Sequence, residues 1–519
     1  MDKKDISFNL IDKPWLSCMT LDGEYNFLSL KDIFEHAHEL RELIAEHPLT
    51  IPALMGILHC IIYQATGGPK DIRRWAVMLK AGRFGGEIQD YLTKWHDHFD
   101  LFSPVTPFYQ TAGLTTLGES GKPSGGVPIT TIVQQLSSGN NKTVFDHTLD
   151  RNIHALSPAE SALALITIQN SGLRGTNKKN TDKFGYQKNF SDAQLANGMV
   201  LFLRSRSLYE TVSLNLLPRR GNSPVPNTSD DCPVWELPSE TVPKSGNTNI
   251  RGYLHLLTPQ CRHIRLIPEI DGAEVVVRRM HIAQGEAFRV KDPRFAYSKP
   301  KEEGRDSLPR KMQSSRVIWR DSEALFGLGD NRPHSFVNTA NAMDIGIIGY
   351  DRFKKYLCTA HGMMSKNAKI SDWRTDHLQI PASVFVEKVA VEALLEGVDI
   401  AETIAKHIGT AIKKAASVIL PKSKDDRRNL IKHMLGNSET FYWQELDLPF
   451  QDFVLSLPDN GSALKKWFSI LKKCAEDALL LEFETMSFDL SRHLQAWVKA
   501  EEILKSSINK TGKQKGVTK

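Results

Sequence analysis

The sequence runs to 519 residues, 41% apolar and 24% charged, with 34 glycines and 25 prolines, a soluble globular composition that excludes collagen, coiled-coil and wholly disordered chains. At about 150 residues per domain the length suggests roughly three units, and two of unequal size fit as well. Sixty-six basic against 60 acidic residues leave a net charge of +6, too slight to mark a nucleic-acid binder unless the cations cluster.

The N-terminal stretch MDKKDISFNLIDKPW has no apolar core of the signal-peptide kind. A short strand is expected around Phe8 to Leu10 and a turn at Asp22-Gly23. Helices follow through Leu30 to Ala65 and from Trp75 to Trp95. The most apolar run, Ile51 to Ala65, contains Pro52 and His59 and is shorter than the roughly 20 residues of a membrane span, so it reads as a buried helix. From about 110 to 150 the texture turns to Gly, Ser, Thr, Pro and Asn, which signals extended loops. A helix is expected from Pro158 to Gln169, with Pro158 in its first turn, running into a second loop, SGLRGTNKKNTDKFGYQKNF.

Between Gly252 and Val290 the pattern shortens to strands, with Ile264 and Leu266 alternating with His263 and Arg265. PRFAYSKPKEEGRDSLPRK is a polar, proline-punctuated linker. After Pro381 the strands stop, and apolar steps of three and four residues predict about four helices, divided at Pro421, Pro449 and Pro458, making a bundle. The fold class is therefore α+β: a large mixed domain over 1–380 with a small β-rich section and long loops, then a four-helix bundle over 381–519. Lys505, Lys510, Lys513, Lys515 and Lys519 are expected to form a basic, frayed tail. Six scattered cysteines form no C-x-x-C pair and suit a reducing, cytoplasmic setting.

No enzyme constellation is convincing. His96, Asp97, His98 and Asp100 carry metal-ligand chemistry and open an alternative, a metal-dependent nuclease. None of the distant His and Asp ligands such a site needs is apparent, and residues two apart on a helix diverge by about 200°. Gly118-Glu119-Ser120-Gly121-Lys122 fails as a phosphate loop, because Thr116 stands where the first glycine belongs and Pro123 where a magnesium-binding hydroxyl belongs. No catalytic residue, metal or cofactor is expected.

Three features point to nucleic acid. Gly172-Leu173-Arg174-Gly175, followed by Lys178, Lys179, Lys183 and Lys188, joins a backbone free to approach a ligand with cations for phosphates. The same residues also fit a helix C-cap followed by a solvated loop. The stretch from Arg289 to Arg316 carries nine basic residues, either a contact surface or ordinary solvation. Phe145, in a polar loop, either stacks on a base or packs back onto its domain.

Three segments in order, FNLIDKPWL at 8–16, FDLFSPVTPFYQ at 99–110 and NAKISDWRTDHLQIP at 367–381, together resemble the CasA family, the large subunit of the type I-E CRISPR Cascade complex. The resemblance extends over nearly the whole chain. It implies a non-catalytic subunit that reads the protospacer-adjacent motif (PAM) of duplex DNA from the minor groove, starts R-loop formation and helps recruit the helicase-nuclease; a pure scaffold is the other alternative. Implied partners are the backbone subunits, the handle-binding subunit, the small-subunit dimer, the crRNA 5′ handle and double-stranded DNA, with no membrane. On this resemblance the PAM loop falls on Gly172, Arg174 and Gly175, with Lys178 and Lys179 for phosphates. The strand-separating wedge falls on Asn367 and Ala368, where the family has Gln-Ala. The loop meeting the handle and neighbouring subunits falls on Phe145, Asp146 and His147. The family's minor-groove lysine finds no cation at Ala283-Gln284-Gly285, and Arg289 or Lys291 would substitute.

Overall fold

The computed structural model describes residues 6–118, 121–135, 154–176, 181–182, 189–219, 228–238, 246–300, 305–327, 331–366, 369–420, 424–459, 462–484 and 490–518. They pack into two compact units, the first formed by 1–314, 331–348 and 359–376 and the second by 315–330, 349–358 and 377–519.

The first unit opens with strands β1 (Leu16–Thr20) and β2 (Tyr25–Leu28), turned at Gly23 with φ of 91°. Helix α1 (Leu30–His36) starts at a capping box in which Ser29 and Asp32 satisfy each other's backbone N–H groups. The chain then returns as β3 (Leu40–Ile44) on the far side of β1. Two expectations change here. Phe8 to Leu10 provides only a single bridge, Asn9 against Asp100. Strand β3 interrupts the helical run expected from Leu30 to Ala65, because its five residues are too few for their alternation to stand out between helices.

Helix α2 (Thr50–Thr66) is the core of this unit, with Pro52 through Tyr63 all buried, as expected of a helix apolar on every side. Helices α3 (Ile72–Lys80) and α4 (Glu87–Lys94) replace the single helix expected from Trp75 to Trp95. Gly82, at φ 80°, and Gly85-Gly86 break it. Short strands β4 (Thr116–Leu117) and β5 (Val127–Pro128) lead to α5 (Pro158–Ser171), which begins with a Ser157/Glu160 capping box and Pro158 in its first turn, and ends two residues beyond Gln169.

Next come β6 (Gly175–Thr176), β7 (Thr181–Asp182), β8 (Asn189–Phe190), β9 (Val200–Arg204), α6 (Leu208–Leu214), β10 (Gly246–Asn247) and α7 (Tyr253–Leu257). The β-rich section is the antiparallel hairpin of β11 (Arg262–Asp271) and β12 (Glu274–Gln284), followed by β13 (Glu286–Ala287). Its two-residue loop has Gly272 at φ 62° with Ala273 at negative φ, the type II′ arrangement that matches strand twist. The alternation along β11 is only half right, since His263 is as fully buried as Ile264. The second face of the strand is also covered, and Thr111 Oγ1 lies 2.8 Å from His263 Nδ1.

Helices α8 (Ser322–Phe326) and α9 (His334–Asp344) precede the long strands β14 (Lys355–Lys366) and β15 (Lys369–Pro381). These two strands share a sheet with β9 in the order β15-β14-β9, and their segments 359–366 and 369–376 belong to the first unit. From Pro381 onward the described chain is helical: α10 (Ser383–Val386), α11 (Lys388–Ile419), α12 (Lys424–Glu445), α13 (Asp447–Ser456), α14 (Ala463–Glu484) and α15 (Leu490–Gln514). Four of these are long, and α11 packs against α12, α14 and α15 through the fully buried Ile404, Ile408 and Ile412.

The division expected around Pro449 falls at Leu446, between α12 and α13. Pro449 sits in the first turn of α13, where its missing N–H costs nothing. The tail is more ordered than expected, because α15 continues to Gln514, Lys515 Nζ lies 2.9 Å from Asp399 and Val517 is buried. An aromatic cluster anchors the second unit. Trp319 stacks on Phe450 with centroids 4.1 Å apart, and Phe453 stacks on Trp467 at 5.2 Å. Beside it Arg320 lies 3.6 Å from the Trp443 ring centroid and forms a two-pronged pair with Glu402.

Candidate nucleic-acid interface

The glycine segment leaves the C-terminus of α5. Gly172 N–H still bonds to the Ile168 carbonyl at 2.9 Å, and a Cβ at Gly172 would lie 2.8 Å from that oxygen and 3.0 Å from the guanidinium of Arg262. Only glycine fits so close an approach. Arg262, 2% exposed, ties both ends of the loop together, donating to the carbonyls of Leu173 at 2.8 Å and Ser191 at 2.9 Å, and through its other terminal nitrogen to Cys261 at 2.7 Å. Its guanidinium also lies 4.7 Å from the Phe190 ring centroid. Burial lowers its pKa to about 10, which leaves it charged at neutral pH.

Above this clamp β6 and β8 form a two-rung stem, Gly175 opposite Phe190 and Thr176 opposite Asn189. Arg174 N–H donates to Asp192 at 2.6 Å, which fixes the backbone while the Arg174 side chain stays exposed. Gly175 is exposed as well, and a Cβ there would meet nothing closer than 3.9 Å. The site is thus a narrow backbone ribbon with a cation at its edge, held on a rigid base.

That base is a buried hydrogen-bonded layer. Gln169 donates to the Arg262 carbonyl at 2.8 Å and accepts from Arg262 N–H at 2.8 Å. Gln260 donates to Thr111, and His255 Nε2 approaches Glu286 at 2.9 Å. His255 Nδ1 accepts from Arg251 N–H, which makes Nε2 the protonated nitrogen. The end of β12 meets the same base, because Arg262 pairs with Gln284 across the hairpin and a Cβ on Gly285 would overlap the Gln260 carbonyl at 2.0 Å. Ala283-Gln284-Gly285 and Gly172-Gly175 are therefore brought together. Arg289 is exposed, four residues beyond Gly285, whereas Lys291 is half-buried with its ammonium 5.0 Å from the Tyr297 ring centroid.

Lys178, Lys179, Lys183, Lys188, Asn367, Ala368, Phe145, Asp146 and His147 lie outside the described residues. Gly118 N–H bonds to the Lys122 carbonyl, Gly121 is at φ 72°, and β4 pairs with β7, Thr116 opposite Asp182 and Leu117 opposite Thr181. Among the described residues no three His, Cys, Asp or Glu side chains converge as a metal site. The histidine cluster instead fastens the N-terminal segment: Asp100 accepts from Ser7 Oγ and Phe8 N–H, and His96 Nε2 lies 2.7 Å from Asp12. The basic stretch from Arg289 is largely spent on structure. Arg294 is buried in a pair with Asp292, and Lys311 donates to the Ala196 carbonyl. Arg262 escapes a reading of the sequence, since one arginine beginning a strand has no signature of burial.

The family model for CRISPR-associated protein Cse1 matches residues 9–478. A CRISPR-associated protein CasA/Cse1 from Thermus thermophilus is 26% identical over 530 aligned positions, covering 98% of both chains. Among solved structures, Cse1 from Acidimicrobium ferrooxidans matches with a TM-score of 0.82 at 24% identity, covering 98% of this chain and 99% of that one. A chain of a CRISPR RNA-guided surveillance complex matches with a TM-score of 0.76 at 20% identity, covering 96% and 99%. The likeness to the solved structures is one of fold.

Proposed function

Because the chain belongs to the CRISPR-associated Cse1 family, we propose that it is the non-catalytic large subunit of a cytoplasmic, RNA-guided Cascade complex that reads a PAM from the minor groove and begins strand separation. The observation that carries this reading is the clamped glycine ribbon: exposed backbone at Gly175, exposed Arg174, and Arg262 locking the base beneath them. A bare backbone enters a groove about 6 Å wide where a bulky side chain would not. The degenerate donor and acceptor pattern there suits a short, relaxed motif. Arg289, exposed and five residues past the end of β12, is the candidate minor-groove cation in preference to Lys291, whose ammonium faces Tyr297.

Lys178 and Lys179 would contact phosphates, and Asn367-Ala368, which follow β14 in sequence, would supply the wedge. Unstacking costs a few kcal/mol per step, offset by contacts to the separated strands and by guide pairing. Phe145, Asp146 and His147 would meet the crRNA handle and adjoining subunits, and the bundle would help dock the helicase-nuclease.

The test is duplex binding by a reconstituted complex with and without this chain, on targets with and without the flank. Flank-dependent binding should vanish on omission. Gly175→Ala, which the fold accommodates, should weaken flank-dependent binding at least tenfold. Arg174→Ala should weaken binding to all sequences and flatten its salt dependence by about one unit of slope. Unchanged flank dependence in Gly175→Ala would remove the ribbon from the interface.

A further inference from the structure

The β14–β15 hairpin and the glycine loop are joined by a chain of side chains with no part in the reading so far. Trp373 on β15, half-buried and five residues past Ala368, stacks on His47 with centroids 5.2 Å apart and planes 26° from parallel. His47 is 3% exposed and immobilised at the start of α2, its Nδ1 accepting from Leu49 N–H at 3.1 Å and its carbonyl from Thr50 N–H at 3.0 Å. The Gln134 side chain lies near the imidazole without making a hydrogen bond to its buried Nε2. Gln134 Nε2 donates to the Ser171 carbonyl at 3.1 Å, and Gln134 Oε1 lies 3.3 Å from Ser171 Oγ, whose proton has its shorter bond, 2.8 Å, to the Thr167 carbonyl. Ser171 immediately precedes Gly172. A second tie, Thr50 Oγ1 to Thr167 Oγ1 at 2.6 Å, holds the start of α2 to α5.

Two features set this apart from ordinary core packing. Trp373 and Gln134 are both half-buried at the rim rather than in the interior. The C-terminal carbonyl of α5 is satisfied by a side chain more than thirty residues earlier in sequence instead of by a local cap. We propose that Trp373, His47, Gln134 and Ser171 form a positioning junction that couples the placement of the β14–β15 hairpin to that of the glycine loop. This rests on the reading above in one respect, the consequence that capture of the flank at the loop is passed to strand opening at the hairpin. Coupling of this kind is reciprocal, so disturbing either end reaches the other.

The junction is tested first without DNA, by amide hydrogen exchange on the full chain. Gln134→Ala should speed exchange in 369–376, and Trp373→Ala in 172–176, while Trp373→Phe, which keeps a stacking ring, restores protection. Effects confined to the substituted end, in variants that melt within a few degrees of the parent, overturn the proposal. In the reconstituted complex, Gln134→Ala should leave flank-dependent capture of a guide-mismatched duplex within twofold, yet slow opening of a matched duplex about tenfold, within the range usual for coupled sites. A pre-melted target should restore the rate, and Gln134→Ala with Trp373→Ala should be no slower than the worse single variant. Losses that multiply, or that persist on the pre-melted target, overturn the junction. If the parent complex captures without regard to the flank while exchange still crosses between the two segments, the functional reading falls and the junction stands.

Discussion

Arg262 shows how much a single side chain organises here. Its guanidinium supplies donors to Leu173, Ser191 and Cys261 from a position almost free of solvent. Arg262→Met should cost roughly 2–4 kcal/mol by stranding those carbonyls, read as a lower urea midpoint at constant slope. Arg262→Lys should recover little of it, because an ammonium on a flexible stem cannot reproduce the fork. The Gly172-Leu173-Arg174-Gly175 run it supports stands out in the sequence as a candidate loop, but the arginine does not: burial is a property of what closes over a residue, and Gln169 and Leu173 approach from distant sequence.

His59 makes a second prediction at this scale. It is buried in α2, its Nε2 3.1 Å from the Val212 carbonyl, and desolvation lowers its pKa to about 4. The unfolded chain, with an ordinary value near 6.5, binds that proton more readily. Stability is therefore intact above about 6.5 and declines as pH falls toward 4, by up to about 3 kcal/mol from this group. Subtracting the urea-unfolding profile of His59→Gln, which keeps a donor for Val212, isolates that slope; parallel profiles would refute the assignment.

Among the elements, α11 and α15 are legible from their apolar stripes, and α5, buried nearly all round, from Pro158 in its first turn. What sequence reading missed was set by context. β3 is too short to announce itself, and the break between α3 and α4 depends on Gly82 at φ 80°, a conformation composition alone does not declare. The β11–β12 hairpin was legible from its apolar alternation, whereas the coverage of its second face was not. Close contact between elements sets tolerance in turn. A Cβ on Gly56 would stand 2.9 Å from the Leu257 carbonyl where α2 meets α7, backbone that cannot swing aside. Gly56→Ala should thus destabilise by about 1–3 kcal/mol despite alanine's better helix propensity, and a raised melting temperature would show that the helices part freely.

For the molecule as a whole, the second unit draws on three stretches of chain. Trp319 and Arg320, from 315–330, fill the cluster around Trp443, Phe450 and Trp467. A chain beginning at His377 should therefore lack a closed core, bind a hydrophobic dye and melt without cooperativity, while the intact protein does neither. In the intact protein Trp319→Ala should cost about 3–5 kcal/mol. A sharp transition in the fragment would show the cluster to be dispensable. A single tryptophan in a polar stretch carries no periodicity, so nothing in the sequence joins it to helices a hundred residues on. Family membership was legible in a different way, through three separated segments taken in order, and the net charge contributed almost nothing.

The same discontinuity has a temporal side. Ribosomes deliver Trp319 and Arg320 well before α14, and close to 150 residues separate Trp319 from its partner Trp467. At about 5–20 residues per second that interval lasts roughly 7–30 s. During it the tryptophan has no finished pocket, and the nascent polypeptide is open to chaperone capture and to mispairing with other emerging chains. Slowing translation between codons 330 and 460 should then lower the yield of correctly assembled protein, a vulnerability of biosynthesis in a molecule whose finished form hides it.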